Sequence, residues 1–311
     1  MTERFLVTGA LGCIGAWIVR TLIDEGVPVV AYDLGTNTER LGLIMTPAEL
    51  AGVTFVREDI TDLAALERAF DEHDVTHVVH LAALQVPFCR DDPVRGAQVN
   101  VVGTACMFEA VKRRLERIRG LVYASSVAIY GPDDEGAEEP RPAPSTHYGV
   151  FKQANEGTAR IYWQDAHVPS IGLRPYTIYG PGRDQGVTSG PTRAMRAAAR
   201  GEGFHISFGG RSHFHYVADI ARIFIAASRA LDAGAGTFNI PSDPEPMGAM
   251  VDAIVSAAPA ARGKITYDDV ELPFAVELEA DGLEKAIGPV HLTPLAEGVR
   301  QTIAVFQSAG L

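Results

Sequence analysis

Short apolar runs and amphipathic stretches alternate through the first half of this chain. "RFLVTG", "PVVAYD", "VTFVRED", "THVVHLAA" and "GLVYASS" are rich in β-branched residues and bounded by turn or polar residues, so they predict strands. Between them the apolar positions take helical spacing. Ile14, Ile18 and Leu22 recur at i, i+4 with Gly26 as a stop, and a second helical stretch runs from about Arg95 to Leu115. Strands apolar on both faces and separated by helices predict an α/β fold, a Rossmann-type doubly wound parallel sheet. After Asp165 the pattern loosens. "SIGLRP" and "GTFNIP" predict two further strands, and "DIARIFIAASRAL" predicts an amphipathic helix capped by Asp219. The remainder, rich in Gly, Pro and Ala, predicts a smaller C-terminal α/β lobe. The acidic, proline-rich run Asp133 to Pro144 reads as a solvated loop.

Composition narrows the partners. The chain has 311 residues, 47% of them apolar, and a formal charge of -12. Phosphate neutralisation along a nucleic acid needs the opposite sign, so no nucleic-acid partner is expected. No apolar run approaches the ~20 residues that span a bilayer, and no leader pattern opens the chain. Cys13, Cys89 and Cys106 are scattered without metal-ligand spacing, so no metal is expected and a reduced, cytoplasmic setting is.

The first chemical signal is "TGALGCIG", between the first strand and the first helix. Gly9, Gly12 and Gly15 let the backbone turn sharply and approach a ligand, and the helix N-terminus offers free N–H groups to a pyrophosphate. The next strand ends at Asp33, at the distance required of a ribose-binding acid. A carboxylate there accepts hydrogen bonds from a ribose 2′-hydroxyl and repels a 2′-phosphate. NAD is therefore expected rather than NADP.

With that turn in place, the chain resembles the extended short-chain dehydrogenase/reductases, the NAD-dependent epimerase/dehydratase family. The matching pieces are "TGALGCIG", "REDITD", "HLAA", "VNVVGT", "YASSVAIYG", "YGVFK" and "LRPYTIYGPG", in the family's order, with a looser match through "FHYVADIA". The resemblance implies that Tyr148 is the general acid/base, that Lys152 binds the nicotinamide ribose, and that Ser126 completes the catalytic set. Free tyrosine has a pKa near ~10, so the Lys152 ammonium and the bound cofactor are expected to lower it toward the working pH. The implied cofactor contacts are Gly9, Gly12, Cys13, Ile14 and Gly15 in the turn, Asp33, Asp59 near the adenine with Ile60, then Leu81, Ala82 and Ala83 along the dinucleotide, Pro175, Tyr148 and Lys152. Asn100 is counted with them as a structural, water-holding residue without a chemical step. His80 and Cys13 are expected to pack rather than catalyse, and His213 and His215 alternate so that both could face a pocket.

The departures bear on the substrate. Members that act on nucleotide sugars carry an asparagine where this chain has Thr177, and an arginine, for the diphosphate, where it has Ser212. Arg211 is one residue off, and in an extended strand one step turns a side chain to the opposite face. Sugar 4,6-dehydratases follow the catalytic Ser/Thr with an Asp-Glu pair, here Val127 and Ala128, which argues against dehydration. The expected activity is NAD-dependent oxidation of a secondary alcohol in a small polar substrate, a sugar or sugar acid, met by Gln85, Arg90, Ser126, Thr177, Arg183, Thr188 and Ser189. Arg90 and Arg183 are the candidates for a carboxylate. The alternatives are a (nucleotide-)sugar epimerase working by transient oxidation, a threonine-dehydrogenase-like activity suggested by "YGVFK" with "SSVAIYGP", and a non-catalytic NAD-binding protein. The expected division is an NAD-binding domain of residues 1–172 plus about 213–242 and a substrate lobe of 173–212 plus 243–311. The resemblance also implies a homodimer, built on the helices that begin near Arg95 and Tyr148.

Overall fold

The computed structural model describes residues 2–131 and 143–311. All seven strands expected from the apolar runs form one sheet: β1 (Phe5–Thr8), β2 (Val29–Tyr32), β3 (Thr54–Val56), β4 (His77–His80), β5 (Leu121–Ala124), β6 (Ser170–Arg174) and β7 (Ala235–Asn239). Their order is β7-β6-β5-β4-β1-β2-β3, and every pairing is parallel. Side chains alternate between the two faces with period two, and both faces are covered. Phe5, Val7, Val29 and Ala31 pack on one side with Ile18, Leu22 and Phe224, from the helices Cys13–Asp24 and Val217–Ala230. Leu6, Val30 and Tyr32 pack on the other with Phe70 and Phe108, from the helices Leu63–Glu72 and Gly103–Lys112. Each such aromatic side chain, fully buried, contributes about 1.5–3 kcal/mol. Only the edge strands are less enclosed, with β3 largely exposed and β7 partly so.

Chain order reverses between β1 and β4, so the loops leaving their carboxyl ends diverge and open a crevice there. Thr8 closes the floor of that crevice. Its hydroxyl binds His80 Nδ1 at 2.7 Å and accepts from the Leu81 and Ala82 amides at 3.2 and 3.3 Å.

The second helical stretch begins at Pro93 and runs to Lys112, with a π turn at Gln98–Val102. Asp219 is not a cap. The helix begins at Val217, and the Asp219 carboxylate accepts from the Thr293 amide and hydroxyl at 2.6 and 2.8 Å and pairs with Arg222. A residue inside the first turn has found partners outside it, tying the C-terminal segment to this helix. The C-terminal half adds short pairs: Thr177–Tyr179 with Phe214–Tyr216, Arg211–Ser212 with Glu245–Pro246, and Phe204–Ile206 with Ile265–Tyr267. The acidic run expected as a loop lies outside the described residues except for Ala143 and Pro144. Among the described residues, no helix is long and apolar enough to cross a membrane.

Candidate active site

A cleft of about 1330 Å³ follows the crevice. At one end the glycine turn lies against the end of β4. Gly9 has φ +65°, and a Cβ there would lie 2.8 Å from the Ala82 nitrogen; a Cβ on Gly15 would lie 2.2 Å from the Gly9 oxygen. Only glycines allow the helix start to press this close to the strand ends. Gly9, Gly12, Cys13, Ile14 and Gly15 border the cleft, as do Asp33, Asp59, Ile60, Leu81, Ala82, Ala83 and Pro175. The Asp33 carboxylate is fixed by the Leu11 amide at 3.0 Å and the Gly35 amide at 2.8 Å, and Asp59 is fixed by Thr61 through its amide and hydroxyl, both at 2.9 Å. A cradle that only glycine leaves open, ending at an oriented carboxylate, fits a dinucleotide.

At the other end Tyr148 and Lys152 lie one turn apart on the helix His147–Ala166, which Thr146 caps by accepting from the Gly149 amide at 3.0 Å. Lys152 donates to the Ala124 carbonyl at 2.6 Å, with its Nζ 5.5 Å from the centre of the Tyr148 ring. The Ser126 side chain faces the Tyr148 hydroxyl and favours its ionised form. Gln85, Arg183 and Thr188 border the same end, where Arg183 donates to the Thr188 hydroxyl at 3.0 Å. Gln85 Oε1 and Arg183 Nε are buried and without a hydrogen-bond partner. Such atoms are costly to leave unmet, so they mark where a polar ligand fits.

In the protein alone, burial outweighs the groups that lower the Tyr148 pKa. Burial pushes Tyr148 up to about 12, against the opposing effects of Ser126 and the Arg183 charge, and Lys152 is not among the groups lowering it. Burial also pulls Lys152 down to about 8. Lys152 is buried and Tyr148 half-buried, so desolvation disfavours both charged forms. In the protein alone, Arg183 is the cation that favours a Tyr148 phenolate.

Four of the expected site residues do not reach the cleft. Thr177 is fully buried, because Tyr176 and Ile178 point into the cleft and the residue between them faces away; its hydroxyl bonds Ser212 Oγ at 2.8 Å. Arg90 points to solvent and pairs with Asp91 at 3.0 Å. Ser189 turns inward at the start of the helix Gly190–Ala199. Asn100 is buried and clasps the Leu84 backbone, accepting from its amide at 2.7 Å and donating to its carbonyl at 2.9 Å, so it supports the cleft wall from behind. Arg211 is turned outward and pairs with Glu277 at 2.7 Å.

His80, His213 and His215 make internal hydrogen bonds and do not line the cleft. His80 bonds Thr8 and Thr104, and burial pulls it down to about 3. His213 and His215 are buried and share the Ser242 hydroxyl at 2.8 and 2.9 Å, behind the cleft wall, where the His213 ring packs 5.3 Å from that of Tyr176. Among the described residues, no group of three or more His, Cys, Asp or Glu side chains is arranged to hold a metal.

Several residues that line the cleft or brace its wall had no signal in the sequence. Arg40, on the short helix Glu39–Gly42 that follows β2, reaches Asp184 at 2.7 Å and also donates to the Leu11 carbonyl at 3.0 Å. Trp17 donates to the Pro181 carbonyl at 2.9 Å. Together these latch the segment 181–184 across the glycine turn. Phe274 joins the wall from the C-terminal lobe. All are contacts between distant segments.

Residues 5–240 match the family described as NAD dependent epimerase/dehydratase family. The chain is 28% identical over 315 residues to a UDP-glucose 4-epimerase of Mycolicibacterium smegmatis, covering 98% of this chain and 99% of the relative. It is 30% identical over 187 residues to UDP-glucuronate 4-epimerase 2 of Arabidopsis thaliana, covering 57% of this chain and 42% of that protein. Matches to the UDP-glucuronate 4-epimerases of Arabidopsis and Rhizobium meliloti thus span only about half of their length. Among solved structures, the Thermus thermophilus UDP-glucose 4-epimerase in complex with NAD superimposes with a TM-score of 0.80 at 28% identity, covering 99% of this chain and all of that one.

Proposed function

Because this chain belongs to the NAD-dependent epimerase/dehydratase family and is an NAD-dependent enzyme of the extended short-chain dehydrogenase/reductase type, we propose that it oxidises a secondary alcohol of a small, polar, sugar-derived substrate. The observation that carries this reading is the meeting of Tyr148, Ser126 and Lys152 at one end of the cleft whose other end is the glycine turn and Asp33. Ser126 donates to the substrate oxygen and aligns it. Tyr148 takes that oxygen's proton, and the positive charge of Arg183 favours the phenolate it then needs. Lys152 and Asp33 hold the two riboses of the cofactor. Bound NAD supplies the hydride acceptor.

The Thr177–Ser212 pair speaks for a substrate without a diphosphate. Where nucleotide-sugar members are expected to hold that group, these two hydroxyls bond each other in the core, and Arg211 faces solvent. A buried neutral pair offers no charge-assisted partner to two phosphate charges. Segments 173–212 and 243–311 form the substrate lobe in this reading. Val150 and Ile161, half-exposed on the helix His147–Ala166, suit a homodimer face.

A second reading has support from the relatives, which are named as UDP-sugar 4-epimerases. An epimerase would use the same set and return the hydrogen to the other face of the same carbon. Nucleotide content decides between the two. Protein purified without added nucleotide is denatured, and NAD and NADH per chain are quantified. Near-stoichiometric cofactor surviving dialysis supports the epimerase. An empty chain that binds NAD reversibly, and forms NADH with sugars or sugar acids, supports net oxidation.

Two binding predictions follow from the same residues. Asp33→Ala is expected to weaken NAD about tenfold and to reduce discrimination against NADP by a similar factor, read by titration calorimetry with both cofactors. Lys152 carries its charge below about 8 and loses it above. Its charge-assisted bonds to a ribose are therefore lost as pH rises, and NAD affinity at pH 9.5 is expected to be about three- to tenfold weaker than at pH 7 in wild type. The difference is expected to vanish in Lys152→Met.

A further inference from the structure

Tyr148, Lys152 and Glu156 recur every fourth residue, so they form one stripe along the helix His147–Ala166. Each meets one residue of the run from the last residue of β5 onward. Lys152 donates to the Ala124 carbonyl, Ser125 Oγ donates to Glu156 Oε1, and Tyr148 faces Ser126. The helix lies so close that a Cβ on Gly149 would come within 2.1 Å of the Ala128 carbonyl oxygen.

The Glu156 carboxylate is held from behind by the Arg174 guanidinium, at 2.9 Å from Nε and 2.8 Å from Nη2. Arg174 is 1% exposed, and it also donates to the Tyr130 hydroxyl at 2.9 Å. This fork fixes the carboxylate in one orientation, with Oε1 turned to Ser125. We propose that Glu156 is a positioning residue of the catalytic set, holding Ser125 so that the adjoining Ser126 stays opposite Tyr148, and supplying a negative charge that helps keep Lys152 an ammonium.

The proposal rests on the reading of Tyr148, Ser126 and Lys152 given above. Beside Glu156 and Tyr148 on its own helix, Lys152 is faced by Cys89 of the helix Val86–Asp91 and by His80 of β4. Burial raises the Cys89 thiol and lowers His80, so both are uncharged at neutral pH. Cys89 and, after it, Glu156 act to raise the Lys152 pKa against burial, and with the thiol uncharged Glu156 is the anion that remains among these neighbours. Glu156 touches neither cofactor cradle nor substrate end, which is why its effect must run through Ser125 and Lys152.

The test reads both links without a substrate. Full-length protein is labelled with ¹³C at lysine Cε and tyrosine Cζ; the chain has only four lysines, and Lys152→Met and Tyr148→Phe assign the two signals. In Glu156→Gln the Lys152 titration midpoint is expected to fall by about half a pH unit or more, a roughly threefold change in its protonation ratio. In Ser125→Ala, which leaves the Glu156–Arg174 pair intact, the midpoint is expected to stay while the Tyr148 Cζ resonance moves as Ser126 loosens. A purely structural role for Glu156 would lower the melting temperature and move neither signal, and that result overturns the proposal. Should Glu156→Gln fail to fold, the Tyr148 signal of folded Ser125→Ala decides alone: unmoved, it refutes the positioning role. Full activity in Tyr148→Phe would instead remove the reading of the catalytic set and leave the Lys152 midpoint as measured.

Discussion

Tyr148→Phe is expected to lower turnover about 10²–10⁴-fold while changing NAD affinity less than about twofold. The substitution removes one oxygen and keeps the ring that packs one turn from Lys152. That oxygen faces Ser126 and feels the Arg183 charge, and burial makes it a poor proton acceptor until other groups assist. Its removal leaves the substrate proton with no side chain placed to take it. A protein that only sensed NAD would be indifferent to the change, so retention of more than about a tenth of wild-type turnover would refute the proposed base. NADH formation, or interconversion of epimers, is measured beside the dissociation constant for NAD. Loss of both binding and turnover would mean that the variant had disturbed the cleft instead.

Gly15→Val is expected to weaken NAD binding about 100-fold or more in a chain that still folds. A Cβ there would sit 2.2 Å from the Gly9 oxygen and 2.8 Å from the Ala10 Cα, both backbone atoms with little room to give. The helix Cys13–Asp24 would have to move away from the turn, carrying its N–H groups off the pyrophosphate path. Its other face, with Ile18 and Leu22, stays in the core and keeps the fold. Titration with NAD checks the first effect, and circular dichroism with thermal melting checks the second. A variant that binds NAD as wild type does would show that the turn does not cradle the cofactor.

The strands were legible because each is a β-branched run enclosed on both faces, a local property that composition carries directly. Residues contributed by loops beside strand ends, such as Asp33, Asp59 and Ala82, were legible for a related reason: the loop position follows from the strand that precedes it. Thr177 and Ser189 were misplaced for the opposite reason. One residue of register decides whether a side chain meets the cleft or the core, and in "LRPYTIYGPG" the residues on both sides of Thr177 line the wall. Arg90 belongs to a short helix whose rotation no spacing revealed. Asp219 reads as a cap by position, yet its partner Thr293 is 74 residues away.

The sequence by itself determined the parallel sheet, the glycine turn with its acid, the Tyr148–Lys152 pair on one helix face and the excess of negative charge. Each depends on neighbours within about a dozen residues, where steric rules and periodicity act. Tertiary structure alone decided which hydroxyls meet the cleft, that Thr177 and Ser212 bond each other, that Arg40 reaches Asp184, and that burial moves Tyr148 and Lys152 away from their ordinary ionisation. Those outcomes depend on which distant segments exclude water from a side chain, and no local pattern encodes that.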